Sequence, residues 1–261
     1  MQAGGYEIDI VVQGYPGKAV CHGGLGWSTI ALLRGHGRVA LVDVGSFAYR
    51  PFLAGRLAKR GLKPGDVTDV ILTHAHHDHA INWVLFSNAK VHIGGGELAW
   101  ALQQRWGETP VPELYVRELD TSPRLNRIKA GDEVLPGIRA YDAPGHTPGH
   151  LIFVASGGDH DVIFTGDAAK NRVELITLTA DMSYDQAITK RSIETIWELW
   201  RKRPGNVVVP GHDMPMVIEQ GRPHYIEKRE AAMSAWFGDT LEETTIFELT
   251  LPEAPRKRAT G

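Results

Sequence analysis

Short runs of apolar, β-branched residues recur along this chain, separated by glycines, turns or stretches with helical spacing. Such runs predict strands, because β-branched side chains pack well on the pleated surface of a sheet. Two similar sets of five are predicted: Tyr6–Val12, Ser28–Arg34, Arg38–Val44, Asp69–Thr73 and Lys90–Ile93, then Leu125–Lys129, Gly137–Ala143, His150–Ala155, Asp161–Phe164 and Asn206–Val209. The pattern therefore predicts an α/β protein with two similar halves.

Helical spacing of apolar residues occurs in three stretches between these strands, at Ala48–Arg60, Gly96–Arg105 and Ser183–Arg203. The third is the clearest, since its apolar residues recur at i, i+3, i+4 and i+7. They are Ile193, Ile196, Trp197 and Trp200. This helix is expected to pack one face on a sheet, with Ser183 as its N-cap.

Beyond Gln220 the pattern weakens into a charged stretch that ends in the basic residues Arg256–Arg258. We therefore predict one domain over residues 1–220 and a C-terminal extension over residues 221–261 with a frayed end. The extension could cover a subunit interface, so a homodimer is left open.

Composition narrows the class of protein without identifying it. The 261 residues are 43% hydrophobic and 23% charged, as expected of a globular protein with a buried core. The net charge of −3 disfavours nucleic acid as a partner. No apolar run is long enough for a membrane helix and no targeting segment is visible, so we expect a soluble, cytoplasmic protein. Cys21, the single cysteine, is expected to be buried.

The segment Thr73–His79, which reads Thr-His-Ala-His-His-Asp-His, follows an apolar strand and carries several metal-ligand side chains. Imidazole and carboxylate are the ligands that zinc-type metals take. His74 and His76 alternate on one side of an extended backbone, while Asp78 and His79 follow as the chain turns. Each pair could therefore serve a separate ion, and the spacing favours two metals over one.

Three later segments place further histidine and aspartate residues where a predicted strand ends in a glycine-bearing loop. They are Ala143–His150, Phe164–Asp167 and Val209–Asp213. Glycine lets the backbone approach a site closely. Together with the strand-end Asp43, these motifs resemble those of the metallo-β-lactamase superfamily, in the same order and at comparable separations across about residues 25–215.

The resemblance implies a four-layer αβ/βα sandwich with a dinuclear metal site along one edge. It implies two ligand sets, His74, His76 and His146 for one metal, and Asp78, His79 and His212 for the other, with Asp167 bridging both. Zinc is the expected metal, while iron, manganese and cobalt suit the same ligands. Two such ions can share a hydroxide at neutral pH and use it for hydrolysis, with Asp78 as a proton shuttle.

Within the superfamily the motifs look most like those of N-acyl-homoserine lactonases, which implies a small lactone or ester as substrate. Two departures stand out. Residues 80–83 replace the glycines that usually follow the first histidine motif, and Lys170 stands where the lactonases have a tyrosine. In the lactonases that tyrosine polarises the carbonyl of the lactone. Lys170 could donate a hydrogen bond to the same carbonyl oxygen as negative charge develops on it, or it could be a solvated loop residue.

Three alternatives remain open. A glyoxalase-II-like thioesterase would need a basic patch around Lys228 and Arg229 or around Arg256–Arg258. An RNA-processing nuclease is supported by the resemblance of Val12–Tyr15 and of Gly211-His212 to small eukaryotic members, but the net charge argues against it. A non-catalytic, metal-bound protein could bind a partner through the segment after Gln220.

Overall fold

A computed structural model describes residues 1–19, 21 and 24–250 of the chain, which divides into two compact units that begin at Met1 and Glu227. The strands within the described residues are β1 (Gln2–Ala3), β2 (Tyr6–Val12), β3 (Ile30–Gly35), β4 (Arg38–Val42), β5 (Asp69–Ile71), β6 (Lys90–Gly94), β7 (Leu125–Ile128), β8 (Glu133–Leu135), β9 (Ile138–Asp142), β10 (Leu151–Ala155), β11 (Val162–Gly166), β12 (Val207–Pro210), β13 (Met216–Glu219), β14 (Arg222–Tyr225), β15 (Ala232–Ala235) and β16 (Thr245–Glu248). The helices are α1 (Arg50–Ala58), α2 (His77–Ala80), α3 (Gly95–Leu102), α4 (Glu113–Thr121), α5 (Arg172–Thr177) and α6 (Gln186–Arg201).

The first unit contains two seven-stranded sheets. One runs in the order β1 to β7, and the other runs from β14 back to β8. The pairs β4–β5, β5–β6, β6–β7 and β11–β12 are parallel, while the other pairs are antiparallel. Parallel neighbours place their carboxyl ends at one edge, where the connecting loops can form a site.

Alternate side chains of the strands fill two different cores. Tyr6 and Leu33 of the first sheet meet Phe153 and Phe164 of the second in a buried layer between the sheets. The opposite face of the first sheet packs on α1, α3 and α4, and that of the second packs on α6. The layers are therefore helix, sheet, sheet and helix, which confirms the predicted αβ/βα sandwich.

Helix α6 carries the apolar face that its spacing predicted. Ile193, Ile196 and Trp200 are almost completely buried against the second sheet. The predicted N-cap at Ser183 is wrong, since the helix begins after Asp185, whose carboxylate accepts a hydrogen bond from the Ile188 amide at 2.9 Å. The ionised carboxylate is the stronger acceptor for an amide at the positive end of a helix.

One further expectation fails. Cys21 is exposed, because it lies in the loop between β2 and β3 rather than on a packed strand. Residues 222–225 form β14 of the second sheet, in register with β13, and so belong to the first unit. The second unit contains the antiparallel pair β15 and β16, and the basic run Arg256–Arg258 lies outside the described residues.

No helix in the described part of the chain has the length and apolar character needed to cross a membrane.

Candidate metal centre

The side chains singled out by the sequence converge at the edge where strands of both sheets end. His74 and His76 follow β5, and Asp78 and His79 lie on the short helix α2. The loop between β9 and β10 carries His146, while Asp167 and His212 follow β11 and β12. These residues form three overlapping groups, and within each group the ligand atoms lie within 4.8 Å of one another. The groups are His74, His76 and His146; His74, His79 and Asp167; and Asp78, His79 and His212.

His74, His76 and His146 form what we call the three-histidine group. The His76 Nδ1 and His146 Nε2 atoms are 2.9 Å apart. The Nδ1 atom of His74 is 3.1 Å from the Thr73 hydroxyl oxygen, whereas its Nε2 atom is buried and has no hydrogen-bond partner among the described residues. A buried ring nitrogen without a partner is costly, and a bound cation would offset that cost.

Asp78, His79 and His212 form what we call the mixed group. The Nε2 atom of His212 is 3.3 Å from that of His79 and 3.2 Å from an Asp78 carboxylate oxygen. On the other side of its ring, His79 hydrogen-bonds through Nδ1 to Asp43 at 2.7 Å. A carboxylate at the second nitrogen fixes the orientation of an imidazole ligand and raises its basicity.

Asp167 lies between the two groups. One of its carboxylate oxygens, Oδ1, is 3.1 Å from His79 Nε2 and 3.3 Å from His212 Nε2. The other, Oδ2, is 3.4 Å from the His146 Nε2 atom of the three-histidine group. The nitrogen and oxygen donors of this buried cluster are those that zinc-type ions take. The residues therefore fit bound metal, and Asp167 faces both groups of potential ligands.

Proton affinities differ sharply between the two groups. Burial lowers the pKa of His76 to about 3 and that of His146 to about 4, and it holds the pKa of His74 well below its usual range. Burial would also lower the pKa of His212, but the Asp167 and Asp78 carboxylates outweigh it and raise the pKa to about 9. The nearby carboxylates thus decide which histidines carry protons when no metal competes.

Two glycines let the strand-end loops approach each other. Gly166 has a φ of 47°, and a Cβ atom there would lie 2.5 Å from the Thr73 hydroxyl oxygen. A Cβ atom at Gly211 would lie 2.3 Å from the Asp167 Oδ1 atom. Real Cβ atoms do not approach this closely, so the arrangement of Asp167 depends on glycine at both positions.

Lys170 closes the turn that follows Asp167 and is largely buried. Its ammonium group donates to the Asp181 carbonyl oxygen at 2.6 Å and lies 3.0 Å from a carboxylate oxygen of Glu174. An ammonium has three N–H donors, so these two partners, the ones found among the described residues, leave one donor for a ligand. His150 lies behind the site, where its Nε2 atom accepts a hydrogen bond from the Asp167 amide at 3.1 Å.

Glu97 is a residue that the sequence analysis missed. It lies in the first turn of helix α3, which directly follows strand β6, and it is fully buried. Its carboxylate accepts hydrogen bonds from the Ala75 amide at 2.9 Å, the Thr147 hydroxyl at 2.7 Å and the Gly149 amide at 3.2 Å. Burial raises the pKa of this carboxyl to about 7. One feature of the sequence could have identified it: Glu97 is an acidic residue just after a predicted strand that ends at the edge of the site.

The fold and these clustered ligands define a class of metal-dependent hydrolases, the metallo-beta-lactamase superfamily. The model of that superfamily matches residues 23–212, and the chain belongs to it.

Curated relatives include a lactonase and a human protein. The N-acyl homoserine lactonase AiiA of Bacillus thuringiensis subsp. kurstaki is 30% identical over 178 residues, which are 65% of this chain and 66% of that protein, just under two thirds of its length. Metallo-beta-lactamase domain-containing protein 1 of Homo sapiens is 29% identical over 187 residues, 68% of this chain and 59% of that protein. The solved structure of AidC, a dizinc quorum-quenching lactonase, shares the fold with a TM-score of 0.63 and 19% identity, over 78% of this chain and 80% of that chain.

Proposed function

We propose that this chain is a dinuclear-metal hydrolase that opens a small lactone or ester. The observation that carries the proposal is the position of Asp167, whose two carboxylate oxygens face different groups of potential ligands. One ion alone would not require a second trio of ligands. The 30% identity to an N-acyl homoserine lactonase supports a lactone or ester as the substrate class.

The proposed ligands are the three-histidine group for one ion and the mixed group for the other, with Asp167 bridging them. We propose zinc, and iron, manganese or cobalt would also suit these nitrogen and oxygen ligands. When bound, two such ions lower the pKa of water toward neutrality and polarise the carbonyl of a substrate.

Lys170 is the proposed oxyanion donor. Its free N–H would donate to the carbonyl oxygen of the substrate, where negative charge develops during attack by water. The contacts with Glu174 and the Asp181 carbonyl would hold the ammonium in place, so little ordering would be needed during the reaction.

Asp78 is the proposed proton carrier. Its side chain is 22% exposed, compared with 13% for His212 and 6% for Asp167. A carboxylate that is a ligand and also reaches the open side of the site can pass a proton to the leaving alkoxide.

A substrate panel tests this function. We expect the purified, metal-loaded protein to hydrolyse an N-acyl homoserine lactone, another small lactone or an aryl ester, and Asp167→Asn to remove most of that activity. Asp69→Asn is the matched control, since Asp69 is a buried carboxylate that pairs with Arg38 and His92. Turnover of only a glutathione thioester or only single-stranded RNA would overturn the proposal in favour of a thioesterase or a nuclease. Bound metal without any turnover would favour a binding protein.

A further inference from the structure

The two ligand groups differ in how their rings are supported. In the mixed group, His79 is oriented directly by the Asp43 carboxylate. In the three-histidine group no ring nitrogen contacts a carboxylate other than Asp167, at least among the described residues, and the His146 Nδ1 atom is buried without a hydrogen-bond partner. Apart from the contact of the His74 ring with the Thr73 hydroxyl, the orientation of these rings therefore depends on the backbone of the loops that carry them.

The Glu97 carboxylate joins those two loops. Its Oε1 atom accepts from the amide of Ala75, the residue between His74 and His76. Its Oε2 atom accepts from the hydroxyl of Thr147, the residue directly after His146. The partners are 22 and 50 positions away from Glu97 in the sequence, and they follow strands of different sheets.

The third contact, from the Gly149 amide, brings the His146 loop against the first turn of α3. A Cβ atom at Gly149 would lie 2.2 Å from the Glu97 backbone nitrogen, so the loop and the helix are in close backbone contact. All three donors point at one buried acceptor group. An ionised carboxylate, which has two acceptor oxygens and no proton, can accept all three bonds at once.

We propose that Glu97 is a positioning residue that sets the metal affinity of the three-histidine group and leaves that of the mixed group unchanged. The inference rests on the proposed dinuclear centre, but it does not depend on which substrate the enzyme takes. Glu97 acts through the two loops, since its carboxylate hydrogen-bonds to the neighbours of His74, His76 and His146.

The test measures each group by itself. His212→Ala leaves the three-histidine group intact, and His146→Ala leaves the mixed group intact. Zinc affinity is measured in both backgrounds by competition with a fluorescent chelator, with and without Glu97→Gln. Gln has a single acceptor oxygen, so its NH₂ group must face either the Ala75 amide or the Thr147 and Gly149 donors, and at least one of the three hydrogen bonds is lost. We expect an affinity loss of about 10–100-fold in the His212→Ala background, the usual range for a residue that supports metal ligands, and less than about twofold in the other.

Two further variants separate positioning from folding. Thr147→Val removes the hydroxyl donor at nearly constant shape and is expected to weaken the same group by a smaller factor. Asp69→Asn removes a buried carboxylate of similar hydrogen bonding away from the ligand loops, and it should lower the melting temperature without changing either affinity.

Equal losses in both backgrounds, or no loss in either, would overturn the role proposed for Glu97. Failure of the otherwise unchanged chain to bind any zinc would instead refute the dinuclear centre, and the inference with it. The two failures are therefore distinguishable.

Discussion

Histidines a few ångströms apart in this site have pKa values shifted in opposite directions, because the carboxylates lie closer to some of the rings than to others. His212 faces Asp78 and Asp167, whereas burial dominates for His76 and His146. A metal that binds the mixed group must therefore displace a proton at any pH below about 9, the pKa of His212. No proton competes for the three-histidine group near neutrality.

This difference predicts a pH dependence for only one of the two groups. Between pH 8 and pH 6, zinc affinity of the mixed group should fall by at least about tenfold per pH unit, because metal binding displaces the His212 proton and the proton concentration rises tenfold with each unit. The three-histidine group should keep its affinity over the same range, because its pKa values lie far below it. Chelator competition in the His146→Ala and His212→Ala backgrounds gives the two curves. Parallel curves would contradict the assignment of protons.

Lys170 provides a second prediction for a single residue. Lys170→Met should lower kcat for the preferred lactone or ester by about 10²–10³-fold, the usual cost of one lost oxyanion donor, with two metals still bound. Lys170→Arg keeps the positive charge and should recover part of the loss. Lys190→Met is the control, since Lys190 is an exposed residue of α6 that pairs only loosely with Glu194, at 3.9 Å. An unchanged kcat in Lys170→Met would leave Lys170 with only its contacts to Glu174 and Asp181.

At the scale of elements, the close contact between α3 and the His146 loop gives a matched pair of glycine variants. Gly149→Ala places a Cβ atom against the Glu97 backbone, whereas a Cβ atom at Gly96 would meet nothing within 4 Å. Gly149→Ala should cost about 1–3 kcal/mol of unfolding free energy through overpacking and weaken zinc binding. Gly96→Ala should be neutral or slightly stabilising. Denaturant unfolding and chelator competition check both, and equal effects would show that the contact is unimportant.

The sequence predicted the long, strongly patterned elements and missed the short ones. Each of the ten predicted strands overlaps an observed one, because runs such as Val207–Pro210 are buried on both faces and almost wholly apolar. Helix α4 was missed since Val116 and Leu119 are its only buried residues, too few for a clear period. Helix α5 has six residues, and the one sequence feature that indicates where it begins is its N-cap residue, Asn171. The Asn171 side chain accepts hydrogen bonds from the Val173 and Glu174 amides.

The candidate ligands could be found from the sequence because each lies in a short motif at a strand end. Glu97 could not be found in that way. Its role depends on contacts with Ala75, Thr147 and Gly149, and those contacts exist only once both sheets are stacked. Candidate ligands can be predicted from local sequence motifs, whereas the residues that support them can be recognised only from tertiary contacts.

For the whole molecule, the central feature is that the site needs both halves of the sandwich. The first sheet contributes His74, His76, Asp78 and His79, and the second contributes His146, Asp167 and His212. The layer between the sheets, which includes Tyr6 and Phe153, holds the two sets of loops at one edge. Loss of this layer would separate the ligands, so metal binding and folding of the first unit should be coupled.

The most direct test of the dinuclear centre is the metal content of the full chain, measured by inductively coupled plasma mass spectrometry after purification without added metal. We predict two metal ions per chain. We also predict about one or fewer in Asp167→Ala, which removes the carboxylate that faces both groups, and two in the Asp69→Asn control. One ion per chain, or two ions that survive Asp167→Ala, would contradict a centre bridged by Asp167.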